Sequence, residues 1–350
     1  MKKLKKLAAV LLAGVMMCTA LTGCSIGNTA FKYGDIKVSM PEAVLYAQVQ
    51  QCVAENQYGS YFGENMWSSK IQEGVTMEES VKKDTIDQIK IVKVFAAHAD
   101  DYKVSLTEDE KKAVEEQAKA FAEGEIGKKA MEKAGADEEL VSAMYEENAI
   151  ANKVQQAIID KVDTKVTDEE AKVSTVYKLV FAIKKTDADG KEVTLSEAEQ
   201  KKQETKAKKA YRALKKGADI TALAQQYDIT DGAEESFSAG KSLGGETFEK
   251  AVAKLKKGEF TPVIKDDEGY VIAKLTTAMD EDKTEENKET VLQERQNQAV
   301  KDQYNKWTKD LEKDWDYEKD VNKKYREDLT FTFGEFTSTE SSTTATTTEK

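Results

Sequence analysis

The sequence predicts an α+β protein: a mainly helical body with a small α+β domain inserted into it. Three observations carry this. Up to about residue 170 the apolar residues recur at three and four, and helix-start signals punctuate them. From Val176 the pattern becomes strand, three helices, strand. Beyond Asn287 roughly 40 residues are helical again, yet too polar to form a core of their own. They need a partner, and the helices before residue 170 offer the unpaired apolar surface.

The elements follow in order. Lys2, Lys3, Lys5 and Lys6 precede an apolar run, Leu7 to Ala20, which is short for a membrane span and suits a secretory signal. Leu21-Thr22-Gly23-Cys24 resembles a bacterial lipobox, so residues 1–23 are expected to be a lipoprotein signal peptide and Cys24 the lipid attachment site. Residues 24–29 read as a tether. Residues 30–171 form the helical region. AFKYGDIKVSMPE reads as a hairpin turning at Gly34-Asp35. Ser39 and Glu42 make a capping box with Pro41 in the first turn, and Leu45, Val49, Cys52 and Val53 stripe the helix that follows. YGSYFGENMW reads as a loop packed by its rings. Further helices start at Thr76 with Glu79, at Thr107 with Glu110, and near Asp137, with another cap at Thr167 and Glu170. No β alternation competes there.

Residues 172–278 form the α+β domain. VYKLVFAI is a strand and TDADGKEV a turn. Three helices follow: one through Ala207, Ala210, Tyr211 and Leu214 that stops at Gly217, one through Ile220, Leu223, Ala224 and Tyr227, and one from Phe248 to Leu255 that stops at Gly258. Tyr270-Val271-Ile272-Ala273 is apolar on both faces, as a central covered strand should be. Asp280 to Asn287 reads as a charged hinge. Residues 279–326 then form a C-terminal helix marked by Val300, Tyr304, Trp307, Leu311 and Trp315. Residues 327–350 are a terminal segment that ends in a disordered Ser/Thr-rich tail.

Composition excludes several chemistries. The net charge of −12 repels phosphates, so no nucleic-acid partner is expected. Cys18 leaves with the signal, Cys24 is acylated, and Cys52 alone remains, so no intramolecular disulfide forms. His98 is the single histidine and reads as structural; with one thiol it makes no zinc site, and no metal or cofactor is expected. G-x-S-x-G, H-E-x-x-H, Walker A and G-x-G-x-x-G are all missing. TDADGKEVTLSE, aligned on Gly190 as a calcium loop, puts Lys185 and Ser196 where acidic ligands belong.

Val176 to Leu275 resembles the parvulin-type (PpiC-like) peptidyl-prolyl isomerase domain. The likeness rests on the opening strand, on KKAYRALKKGADITALAQQY as the helix–Gly–helix signature, and on the series Phe237, Gly240, Phe248, Leu255, Gly258-Glu259, Pro262-Val263 and Gly269-Tyr270. With its flanking helices the chain resembles exported bacterial chaperones of the SurA/PrsA foldase type, over about residues 30 to 326. The resemblance implies histidines at two positions, and here they are Lys178 and Val271. The family's Ser/Thr position is Glu268, and Asp228 or Asp231 approximates the Cys/Asp of a shortened loop. Lys178 is expected to be a mobile ammonium where a ring stood, and Val271 neither donates nor accepts. Phe237, Leu243 and Phe248 are the candidates for an apolar peptide groove.

The resemblance implies a lipid-anchored foldase on the extracytoplasmic face of the bacterial membrane, with unfolded or nascent exported polypeptides as partners. Its domain is expected to be weak or inactive as an isomerase. Two other readings stay open: an active isomerase with a rearranged site using Asp231 or Glu268, and a solute-binding or structural envelope lipoprotein.

Overall fold

The computed structural model describes residues 28–188, 190–229, 234–238 and 246–336. Contacts divide the chain into two compact units, residues 1–162 with 297–350, and residues 163–296. Cys24, Asp231, Leu243 and the Ser/Thr-rich tail lie outside the described residues.

The first unit opens with an antiparallel hairpin, β1 (Thr29–Tyr33) and β2 (Ile36–Ser39), turned at Gly34 with φ +59°. Helix α1 (Met40–Phe62) follows. Ser39 Oγ accepts the Glu42 N–H at 3.3 Å, but only half of the expected capping box forms. The Glu42 carboxylate is instead buried, 2.6 Å from Lys93. Cys52 is buried as expected, whereas Val53 points to solvent. Tyr58 to Phe62, expected in a loop, continue the helix. Gly59 lies inside it, and a Cβ there would come within 3.2 Å of the Phe333 ring. Tertiary packing outweighs the helix cost of one glycine, about 1 kcal/mol.

A short hairpin, β3 (Lys70–Gln72) and β4 (Val75–Thr76), leads into α2 (Met77–Ala97). It was not expected: its residues are too few and too exposed to show alternation. The capping box at Thr76 and Glu79 is complete. His98 closes α2 with Nδ1 2.8 Å from the Val94 carbonyl and its ring stacked on Trp307, a structural role. The second capping box starts α3 (Glu108–Glu123). Gly124 adopts extended backbone and separates α3 from α4 (Glu125–Ala134), a break the periodicity hides. Asp137 caps α5 (Glu138–Ile159).

In the second unit, Thr167 and Glu170 cap the short α6 (Asp168–Ala171). The strand β5 (Val173–Ala182) follows, then a hairpin of β6 (Lys184–Thr186) and β7 (Glu192–Thr194). Next come α7 (Glu197–Leu214), α8 (Ile220–Gln226), β8 (Glu234–Ser238), α9 (Glu246–Val252), β9 (Ile264–Lys265) and β10 (Gly269–Thr277). Helix α9 ends at Val252, earlier than the glycine stop at Gly258 suggested. The sheet order is β8-β5-β10-β9, all antiparallel, so β10 is interior as its two apolar faces require. One face packs Leu179, Phe181 and Ile272 against α7 and α8. The other packs Val176, Val271, Ala273 and Leu275 against Phe248 and Val252 of α9.

Helix α10 (Glu281–Thr308) takes in the charged stretch that was read as a hinge. Its first half belongs to the second unit: Thr284 Oγ1 accepts the Val173 N–H, and Asn287 donates to the Ala171 carbonyl. Its second half belongs to the first, where Val300, Tyr304 and Trp307 pack with Phe95, Ile150 and Val154. The expected longer run stops at Thr308. Two short helices follow, α11 (Leu311–Asp314) and α12 (Tyr317–Asp320). Trp315 between them is extended and sets its ring edge-on to Phe31 and Tyr33. The chain then continues through Phe331 and Phe336, both buried in the first unit's core.

Candidate functional site: a charged cluster on the sheet of the second unit

Lys178 and Val271 lie on one face of the sheet. Residues alternate along a strand, so Val176, Lys178 and Val180 face the same way. The register pairs Lys178 with Ala273 and Val180 with Val271, which puts Val271 diagonally beside Lys178. Val271 is fully buried, packed with Phe248, Val252 and Ile264. Hydrocarbon fills the position, and it offers no polar atom beneath a substrate.

Lys178 is not the mobile ammonium its residue type suggests. Its side chain is 11% exposed and ends between two carboxylates, Glu235 at 3.0 Å and Glu268 at 3.6 Å. Its ammonium also stands 5.8 Å from the centre of the Phe248 ring. The four-carbon stem lies along the apolar face while the charge reaches the edge, where the carboxylates stay half exposed. Strand β8 pairs with β5 only from Val173 to Tyr177, so Glu235 sits close to where that pairing ends.

The β9–β10 turn aims Glu268. Asp266 Oδ1 accepts the N–H groups of Glu268 and Gly269 at 2.9 and 3.0 Å. Gly269 has φ +153°, and a Cβ there would lie 2.3 Å from the Phe181 carbonyl oxygen. Only glycine allows β10 to approach β5 at that point. Pro262 stands just before β9, beside Thr261, whose N–H and hydroxyl pair with the main chain of Ala273. Its segment needs no further donor there, so proline is tolerated.

A cavity of about 720 Å³ opens beside the cluster, lined by Lys178, Val180, Tyr227, Asp228, Glu235 and Glu268 among others. Its walls mix charges of both signs with a few apolar side chains. Of the proposed groove residues, Phe248 is fully buried and presents no surface to a peptide: it is core. Phe237 is half-buried against that same core. Glu235, the nearest partner of Lys178, escaped the sequence reading because no secure alignment crosses the loop after Tyr227. Its signal was there as an acidic pair, Glu234-Glu235, leading into Ser236-Phe237. Among the described residues no group of His, Cys, Asp and Glu could hold a metal ion, and no helix is long and apolar enough to cross a membrane.

Residues 166–289 match the family model described as the PPIC-type PPIASE domain. The foldase protein PrsA of Clostridium tetani (strain Massachusetts / E88) is 31% identical over 153 residues, which are 42% of this chain and 43% of that protein. The chain therefore matches under half the length of this curated relative. A crystal structure of peptidylprolyl isomerase (PrsA) from Bacillus cereus is 25% identical, covers 72% of this chain and 89% of its own, and gives a TM-score of 0.40. A SurA-like chaperone structure from Campylobacter jejuni is 9% identical, covers 67% and 86%, and gives 0.24. The match over residues 166–289 identifies the sheet-bearing unit as a PPIC-type domain, and 153 residues of the chain are similar to a PrsA foldase protein.

Proposed function

We propose that the protein is a lipid-anchored extracytoplasmic chaperone for unfolded exported polypeptides, with a parvulin-like domain that is weak or inactive as an isomerase. The observation that carries the second clause is the pair Lys178 and Val271. Rotating a prolyl amide means crossing a barrier of about 18–20 kcal/mol set by its partial double-bond character. An enzyme lowers it by holding the twisted amide over a preorganised polar network. Here one member of that network is hydrocarbon, and the other is an ammonium already neutralised by Glu235 and Glu268.

Two assays on the same preparation test this. In a proline-limited refolding reaction the full chain should give no saturable acceleration. Mixed with an aggregating unfolded protein, it should suppress light scattering at near-stoichiometric ratios. Clear acceleration lost on deleting residues 172–278 would establish the rearranged isomerase instead, with Glu268 as the first residue to substitute.

The anchor rests on the n-region lysines, the apolar run and Leu21-Thr22-Gly23-Cys24. A labelled fatty acid should enter the wild-type protein and not Cys24→Ser. Labelling of both would remove the lipid from Cys24. The acidic chain, at −12 overall, supports a client set of polypeptides and no nucleic acid.

A further inference from the structure

The last described residues, 329–336, which turn at Phe333–Gly334, are held by the first unit through their main chain. Four side chains of α1 and α2 grip the main chain. Lys82 Nζ donates to the carbonyls of Arg326 and Leu329 at 2.8 and 2.7 Å. Glu78 accepts the Phe331 N–H at 2.9 Å. Gln51 donates to the Thr332 carbonyl at 2.8 Å, and Glu55 accepts the Gly334 N–H at 3.2 Å. These bonds read main chain alone, so they are indifferent to the sequence they hold.

Sequence enters through the rings. Phe331 is buried and sets its ring edge against Trp67, with centroids 4.7 Å apart. Phe333 lies on Gly59, where any larger residue would meet its ring, and Phe336 is buried further along. Thr330 and Thr332 face solvent. Phe331 and Phe333 are thus docked while Thr330 and Thr332 face out, and the chain turns at Gly334 before Phe336.

The rings join the unit's hydrophobic cluster, but the face beneath the main chain carries buried polar and charged side chains. Gln51, Glu55 and Lys82 are each 3% exposed or less. Burying such groups costs several kcal/mol unless they are paired, and a permanent core would do better with hydrocarbon. Here they are paired in large part by the strap's main chain. Gln51 Oε1 is buried with no hydrogen-bond partner among the described residues.

We infer that the face formed by α1, Trp67 and the start of α2 is a peptide-binding groove. Residues 329–336 fill it in cis, and a segment with aromatic side chains spaced as Phe331, Phe333 and Phe336 displaces them. The identity of the displacing segment as an unfolded client rests on the chaperone reading; the groove itself does not.

The probe is a fluorescent peptide of residues 328–336, with a control in which its three phenylalanines are serine. A tethered competitor acts at an effective concentration of about millimolar. A chain ending at Asp328 should therefore bind the peptide at least about tenfold more tightly than the full chain, and the serine control should bind neither. Equal affinities, or no binding to a truncated chain that keeps its helical circular dichroism, overturn the proposal. Hydrogen exchange on the unaltered chain decides the matter if truncation unfolds it. The Phe331 and Gly334 amides should exchange faster than those of α1, and faster again with saturating peptide. Protection equal to α1 and unmoved by peptide overturns the groove. Light scattering of an unfolded client, followed in parallel, separates the two readings. Suppression with unmoved strap amides sinks the groove alone, whereas peptide binding without suppression sinks the chaperone reading and leaves the groove standing.

Discussion

Lys178 shows how a charged side chain can be accommodated on a largely apolar sheet face. Its stem packs near Phe248 and its ammonium ends at carboxylates that are 45% and 59% exposed. Those carboxylates stay hydrated without it, so the ion pair itself is worth about 0–1 kcal/mol. The packing of the stem matters more. Lys178→Met, which keeps the stem's length, should then change stability by less than about 1 kcal/mol, and Lys178→Ala should cost about 2 kcal/mol. Hydrogen exchange of the Leu179 and Ile272 amides in the full chain reads both. A Met variant as damaging as Ala would mean that the charge, not the stem, supports the sheet. That β5 and β10 are strands was legible from the sequence, because an apolar run between turn signals is a local pattern. The clamp on Lys178 was not, because Glu235 reaches it from a strand 57 positions later, across a loop with no fixed alignment.

Helix starts were the most legible elements, because a capping box is a local device whose parts lie three residues apart. At Thr107 the hydroxyl accepts the Glu110 N–H, Glu110 Oε2 accepts the Thr107 N–H at 2.8 Å, and Lys153 of α5 pairs with the same carboxylate at 2.6 Å. Lys153 first, and then the Thr107 main chain, hold the Glu110 carboxyl below the usual carboxylate range. The folded state therefore binds this proton less tightly than the unfolded chain. The contribution is present above the unfolded value of about 4.3 and is lost as pH falls through the folded one. Thr107→Ala should cost about 1 kcal/mol at neutral pH. Glu110→Gln should lower the thermal midpoint of the helical transition at neutral pH and leave it unchanged at about pH 2. A gap between Glu110→Gln and wild type that widens towards acid would reverse the sign argued here. Ser39 shows the limit of the same signal: its Glu42 fits the box in sequence, but a buried lysine, Lys93, takes the carboxylate. The breaks at Gly124 and Thr308 were hidden for a related reason. Periodicity runs through both; extended backbone at Gly124 ends α3, and beyond Thr308 the chain places Trp315 on β1.

At the scale of the chain, the inserted unit was legible because its strand pattern interrupts a helical one. The strap was not, because Gln51 and Thr332 meet across 281 positions and Phe331-Thr332-Phe333 is too short a run to show alternation. Residues 163–296 have the wiring an insertion requires. Arg295, near their end, donates to the carbonyls of Asp163 and Lys165 at 2.8 and 3.0 Å and pairs with Glu170, so the chain enters and leaves at one place. The first unit keeps its own clusters, including Phe95, Ile150, Val154 and Trp307, without any residue from 163–296. Replacing 163–296 with a short Gly-Ser linker should leave a chain that folds, because joining neighbouring ends costs little loop entropy. Its helical transition should lie within a few degrees of the full chain's, since about 1 kcal/mol moves a midpoint by roughly 2–4 °C at this size. If the client is held by the first unit, that chain also suppresses aggregation as well as the full one does. A shortened chain that folds but no longer suppresses aggregation would assign client binding to the PPIC-type unit, whose 720 Å³ cavity beside Lys178 would then be the place to look.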